Sequence, residues 1–243
     1  MKYLVGNFKN KLNKNDIVKY SNKLNELSFK NTEVIICPSS IYLSFFNGIN
    51  YKLGAQDISS FIDKTITGEI SGEQLKSMGV EYVIVGHSER RIYKNELNID
   101  FINKINNAIE NDIKVIYCIG ESLSDKENGN TYMTLEKQIS EVLNNVELKG
   151  IMIAYEPVWA IGSGIIPTTK EIKENIGFIK DIIEEKYDIK LKVLYGGSVN
   201  SDNISELNTI KNVDGFLVGG ASTNIDSLES ILIELEESVK KIV

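Results

Sequence analysis

Glu156 ends the apolar run IMIAY and is followed at once by Pro157. Proline confines the residue before it to extended backbone, so the carboxylate leaves its strand in a set direction. A carboxylate at the edge of an apolar mouth is a candidate general base, because such a group gains basicity as water leaves. The plainer reading is a strand-end glutamate that caps or forms an ion pair. The residues that follow favour the first reading. Pro157, Val158, Trp159, Ala160, Ile161, Gly162, Ser163 and Gly164 form a loop that is stiff at one end, apolar in the middle and glycine-jointed at the other. A loop this apolar needs burial in at least one state, so it reads as a lid that closes over a ligand. A permanently packed loop anchored by Trp159 is the alternative.

The chain has one histidine, His87, and its only arginines, Arg90 and Arg91, lie beside it in GHSERR. An imidazole at a helix start meets the positive end of the helix dipole, which favours a neutral ring with one N–H to donate to a substrate carbonyl. A structural histidine bonded to backbone is the competing reading. Lys9, in GNFKN, offers a cation that would draw an anionic substrate into surroundings that are acidic overall. GGSV around Ser198 and VGG at Gly219 and Gly220 offer close backbone approach and amides at helix starts, a way to hold phosphate without side-chain charge. With a single histidine and no His, Cys and Asp cluster at ligand spacing, no metal site is expected.

These groups need elements to bring them together. Eight short apolar runs recur: YLVGNF, VIIC, LGAQ, YVIVG, VIYCIG, IMIAYE, VLYGG and GFLVGG. They are continuous in apolar residues, not alternating, as in strands buried on both faces of a parallel sheet. Between them lie helical periods. Ile172, Ile176, Ile179 and Ile183 make the clearest stripe, opened by a Thr168–Glu171 capping box; Ser71 and Gln74 open another helix, which Gly79 stops. Ile102, Ile105 and Ile109 mark a third. Eight alternations with right-handed crossovers predict a closed (β/α)8 barrel, eight parallel strands with eight outer helices, as one domain over residues 1–243; a doubly wound open sheet is the other solution. In such a barrel Asn7, Lys9, His87, Glu156, Ser198, Gly219 and Gly220 all follow strand ends and share one face.

Composition excludes other classes. At 243 residues, with 42% hydrophobic and 25% charged side chains, the chain can build a full core. Its net charge of −7, with the basic residues scattered, argues against a nucleic-acid partner. The N-terminal MKYLVGNFKN has no apolar signal core, and no run approaches the roughly 18 to 20 apolar residues that span a bilayer, so a cytoplasmic protein without a membrane partner is expected. Cys37 and Cys118 are too few for a disulfide framework and read as reduced core residues.

The motifs AYEPVWAIGSG, GHSERR, TGEIS, CIGES, YGGSV and GFLVGGAS together resemble the triosephosphate isomerase family, in its order and spacing, from Tyr3 to the last helix. The resemblance implies a TIM barrel and a 1,2-proton shift between dihydroxyacetone phosphate and D-glyceraldehyde 3-phosphate through an enediol or enediolate, a step of glycolysis and gluconeogenesis. It implies Glu156 as base, His87 as neutral electrophile, and Asn7 and Lys9 as groups that bind substrate and steady negative charge. It implies further that Glu89 supports that lysine and that Gly162, Ser198, Gly219 and Gly220 hold the phosphate. No cofactor is implied, since the carbonyl already acidifies the α-proton. The family's usual homodimer suggests Thr67, in DKTITGEIS, as a contact reaching the neighbour's site, with Glu69 pairing with Arg90 across the interface. Phe8, Asn10, Lys11, Ile66, Ile165 and Lys192 stand where the family more often has other residues. The competing readings are a barrel isomerase for a different sugar phosphate and a non-catalytic protein that kept the scaffold.

Overall fold

The structure, a computed structural model, describes residues 1–161 and 165–240. Eight strands, β1 (Lys2–Asn7), β2 (Thr32–Cys37), β3 (Lys52–Ala55), β4 (Val80–Val85), β5 (Lys114–Ile119), β6 (Ile151–Tyr155), β7 (Val193–Tyr195) and β8 (Gly215–Val218), pair in parallel in chain order. β8 pairs back onto β1 with Leu4 opposite Phe216, so the sheet is a closed barrel with no free edge. The expected topology is the one found.

Strand alternation divides the apolar residues into two cores. One set, which includes Val5, Ile35, Tyr82, Ile84, Ile116, Cys118, Met152, Ala154, Leu194 and Leu217, packs together inside the barrel. The set between them, including Leu4, Val34, Val83, Val115, Ile153, Tyr155 and Phe216, packs outward against the helices. Successive residues of a strand face opposite sides. The inward series Met152, Ala154 therefore continues at Glu156, and the inward Val5 continues at Asn7. The alternation that fills the barrel also aims the carboxylate into its mouth.

The outer layer is less even than one helix per strand. Among the described residues it holds α1 (Lys14–Glu26), α2 (Gly72–Ser77), α3 (Ser88–Lys94), α4 (Asn98–Glu110), α5 (Leu123–Glu127), α6 (Thr131–Leu143), α7 (Thr169–Tyr187), α8 (Ile204–Asn208) and α9 (Ile225–Lys240). After β2 a 3-10 turn, Ser40–Phe45, replaces an α-helix; its first residues have no side-chain cap. The units after β4 and β5 each carry two helices. Both expected capping boxes are present, and all four isoleucines of the α7 stripe are buried. In α4 the core face lies a position earlier than the isoleucine stripe: Phe101, Ile105 and Ala108 are fully buried, while Ile102 and Ile109 are only partly so. Lys104 turns this face inward, because its ammonium bonds Asp57 and Glu96, each at 2.6 Å.

Candidate active site

Glu156 is held by backbone on both sides. Its N–H donates to Ile119 O on β5 at 2.7 Å, and the Gly196 N–H after β7 donates to Tyr155 O at 2.8 Å. Both flanking strands carry glycine where they pass it. A Cβ on Gly120 would lie 1.7 Å from the Glu156 carbonyl oxygen, and one on Gly196 would lie 2.9 Å from Glu156 Cγ. Only a residue without a side chain lets β5 and β7 come this close. The carboxylate, 2% exposed, reaches two donors across the mouth: Oε1 is 3.0 Å from His87 Nε2 and Oε2 accepts from the Ser88 N–H at 3.2 Å.

His87 is the N-cap of α3, and its Nδ1 accepts the Glu89 N–H at 3.2 Å. A nitrogen that accepts an amide proton carries none itself, so this geometry presents the Nε2–H tautomer to the cavity. Burial works against protonation of the ring, but the charge and hydrogen bond of Glu156, with Glu89 behind, outweigh it and hold the pKa above its ordinary value. The helix start alone predicts the opposite direction; a full carboxylate charge at 3.0 Å outweighs the partial charge of a helix end. Arg91 fixes the turn below: it donates to Gly86 O at 2.8 Å and to Cys118 O at 2.9 Å, and stacks on Phe101.

Lys9 adopts left-handed backbone, φ 51°, a conformation that costs a non-glycine residue about 1 kcal/mol or more. It is held there by the Asn7 side chain, which accepts the Lys9 N–H at 3.1 Å, and by Gln56, which donates to Lys9 O at 2.8 Å. Its ammonium lies 2.5 Å from Glu89. Asn7, Lys9, His87, Glu156, Ser198, Gly219 and Gly220 line one cavity of about 300 Å³, so the predicted groups on described residues do converge. The Ser198 hydroxyl donates to Ala160 O at 2.8 Å, which ties the start of the predicted lid to the loop after β7. Gly162, Ser163 and Gly164 lie outside the described residues.

Several participants have weak sequence signals. Gly120, Gly196 and Gln56 act through contacts with distant strands, and only CIGES, YGG and LGAQ mark where they lie. Glu121 has no signal beyond its place in CIGES: it is 1% exposed, and its Oε1 accepts the Trp159 indole N–H at 2.8 Å and the Tyr155 hydroxyl at 3.1 Å. Lys11 lines the cavity beside Gly220. Cys118 lies against Glu156; burial first, and that negative charge second, keep it a thiol by raising its pKa well above the usual value. A second hollow of about 480 Å³ shares Asn7, Lys9 and His87 with the first and runs on to Glu89, Asp57, Gly68, Glu69 and Arg90. Thr67 is exposed beside it. Arg90 is engaged within its own chain, by Asp57 at 2.7 Å and Glu96 at 2.5 Å.

A closed parallel barrel keeps its chemistry at the C-terminal ends of its strands, and here a buried acid–imidazole pair stands there beside an ammonium group and glycine-edged backbone: this is a barrel enzyme for a small anionic substrate. A family model described as triosephosphate isomerase matches residues 2–235. Three proteins named triosephosphate isomerase are similar over nearly their whole length. The one from Alkaliphilus oremlandii is 38% identical over 241 residues, covering 94% of this chain and 97% of that relative. The one from Alkaliphilus metalliredigens is 35% identical with the same coverage, and the one from Francisella tularensis subsp. mediasiatica is 34% identical, covering 95% and 96%. The chain belongs to the triosephosphate isomerase family, and its reaction class is the aldose–ketose isomerisation of a triose phosphate.

Proposed function

We propose that Glu156 carries the proton between the two carbons of the triose phosphate while His87 and Lys9 meet the negative charge that builds on its oxygens. One observation bears most of this reading: the Glu156 carboxylate and His87 Nε2 face each other at 3.0 Å inside the cavity that the glycines close. A substrate that enters between them takes both contacts, its carbons under the carboxylate and its oxygens against the imidazole. The His87–Glu156 hydrogen bond is then lost, and the wider gap weakens the attraction of the Glu156 charge, the main influence that raises the imidazole pKa. Burial and Lys9 then favour the neutral ring against the remaining pull of Glu89. A neutral Nε2–H can donate to the carbonyl oxygen and later to the neighbouring hydroxyl oxygen without becoming a strong acid in the site. A glutamate base facing a neutral histidine is the known division of labour in triosephosphate isomerase, so the chemistry agrees with the family membership and is not new to it. Asn7 positions Lys9, and Glu89 orients its ammonium toward the mouth.

Ser198, Gly219 and Gly220, which line the cavity, are assigned to the phosphate, as is Gly162. Amides beside glycine can reach a phosphate oxygen directly, which suits a dianion in a protein of net charge −7. Residues 157–164 are assigned as the lid, which excludes water while the enediolate exists. A coupled assay on both triose phosphates, parent beside Glu156→Gln, tests the assignment. The amide keeps the shape but not the basicity, so turnover falls about 10²–10⁴-fold with phosphate-ligand binding retained. Equal turnover in both proteins would remove Glu156 from the role.

The reading includes residues 1–243 acting as one domain and as a homodimer in the cytoplasm. Exposed apolar side chains follow β3 and β4: Phe61, Ile62 and Ile66 after β3, and Ile92 and Tyr93 on α3 with Leu97 just beyond it. Exposed apolar side chains in these two segments favour a protein partner, and the 480 Å³ hollow lined by Gly68, Glu69 and Arg90 accepts Thr67 of a second copy, with Glu69 reaching toward the partner copy's Arg90. The two buried free thiols suit a reducing compartment.

A further inference from the structure

The segment read above as a lid is flanked by two described feet. Trp159 anchors the incoming foot in a 3-10 turn, Val158–Ala160, and Thr168 begins α7 at the outgoing foot. Lys126, on the separate short helix α5, touches both. Its ammonium lies 3.5 Å from the centroid of the Trp159 ring and 3.0 Å from Glu171 Oε1. Glu171 is the carboxylate that closes the α7 capping box: its Oε2 accepts from the Thr168 N–H at 2.8 Å and the Thr168 hydroxyl at 2.9 Å. The bond from Lys126 is the main reason the Glu171 pKa lies below its ordinary value. The indole edge is held from the other side by buried Glu121.

A cation between an aromatic face and a carboxylate is attracted to both, and neither contact competes with the other. We propose that Lys126 is a positioning residue that couples the two feet of the lid, so that Trp159 and the start of α7 shift as a pair when ligand binds. This rests on the reading of residues 157–164 as a lid over Glu156. Lys126 touches no reacting atom. Its role is to limit the arrangements open to the lid's feet, which raises the fraction of ligand encounters that close correctly.

Trp159 is the only tryptophan in the chain, so intrinsic emission reports on this foot alone. The test compares the parent with Lys126→Met, Lys126→Arg and Glu171→Gln. For each, kcat and KM are measured on both triose phosphates, and Trp159 emission is followed during titration with sn-glycerol 3-phosphate, which has a phosphate but no carbonyl. Methionine keeps most of the side-chain length and loses the charge. It lowers kcat/KM about threefold to tenfold and shrinks the emission change at saturating ligand. Lys126→Arg restores both, and Glu171→Gln gives a smaller loss in the same direction. Parent-like kinetics and emission in Lys126→Met overturn the proposal, as does a Lys126→Arg variant as impaired as the methionine one. An inactive parent would instead refute the reading of the site, and this inference with it.

Discussion

At the scale of single residues, the site depends as much on where side chains are missing as on where they are. Glu156 is legible from its place between a strand and a proline, and His87 from being the only histidine. Gly120 and Gly196 are not, because the reason for glycine at each is Glu156 itself, its backbone at Gly120 and its side chain at Gly196, and no local pattern records that. The consequence can be measured. Gly120→Ala places a methyl where the Glu156 carbonyl now lies, 1.7 Å from its oxygen, so β5 or β6 must shift. Overpacking of this kind costs about 1–3 kcal/mol, and displacement of the base by about an ångström costs about 100-fold in rate. Thermal unfolding and the isomerase assay check this together. The account expects kcat to fall far more than the loss of stability explains; an active, stable Gly120→Ala protein would mean that Glu156 tolerates being moved. The direction of the His87 pKa is also beyond local sequence, since the helix start is visible there and the facing carboxylate, on a strand far along the chain, is not.

At the scale of elements, periodicity and capping give the helices their ends. The capping boxes at Ser71 and Thr168 and the isoleucine face of α7 are local patterns and are readable. The rotation of α4 toward Lys104 is not, because it follows from Asp57 and Glu96 on other segments. Asp214 is a similar long-range device. It stands just before β8: its backbone N–H donates to Val193 O and its carbonyl accepts from the Tyr3 N–H, while its carboxylate accepts the Val193 N–H at 2.9 Å and pairs with Lys180 at 2.6 Å. One residue thus joins β7, β8, β1 and α7 where the barrel closes. Burial tends to raise its pKa, but Lys180, the Val193 amide and Lys192 outweigh burial and hold it below the ordinary 3.8. A carboxylate whose pKa is lower folded than unfolded binds fewer protons in the folded state. Its stabilising contribution is therefore present above about pH 4 and is lost as pH falls through the lowered value. Because the group is partly solvent-screened, the contribution is about 1 kcal/mol. Urea midpoints at neutral pH and near pH 3 should show the parent losing more stability on acidification than Asp214→Asn. An equal loss in the two would mean that Asp214 does not clamp the seam.

At the scale of the whole molecule, eight nearly continuous apolar runs demand a sheet covered on both faces, and it is their repetition in eight equal units that favours closure over an open doubly wound sheet. The proposed second copy would leave a fainter trace. Exposed Phe61, Ile62, Ile66, Ile92 and Tyr93 are surplus to the chain's own core, and the sequence does not distinguish such side chains from buried ones. Sedimentation equilibrium should give about twice the 27.3 kDa chain mass, and Ile66→Asp with Tyr93→Asp should shift the protein toward the monomer with loss of activity. A parent that sediments as a monomer at full activity would contradict the dimer.

The central claim is that a buried carboxylate removes a carbon-bound proton, and isomerisation in D2O tests it most directly. The account predicts that triose phosphate recovered from the parent reaction carries deuterium at the reacting carbon, because the proton held by Glu156 exchanges with solvent in part of the turnovers. It predicts that Glu156→Gln suppresses both product and label. Product formed by the parent at full rate with no deuterium at that carbon would indicate that hydrogen moved as hydride, and would contradict the account.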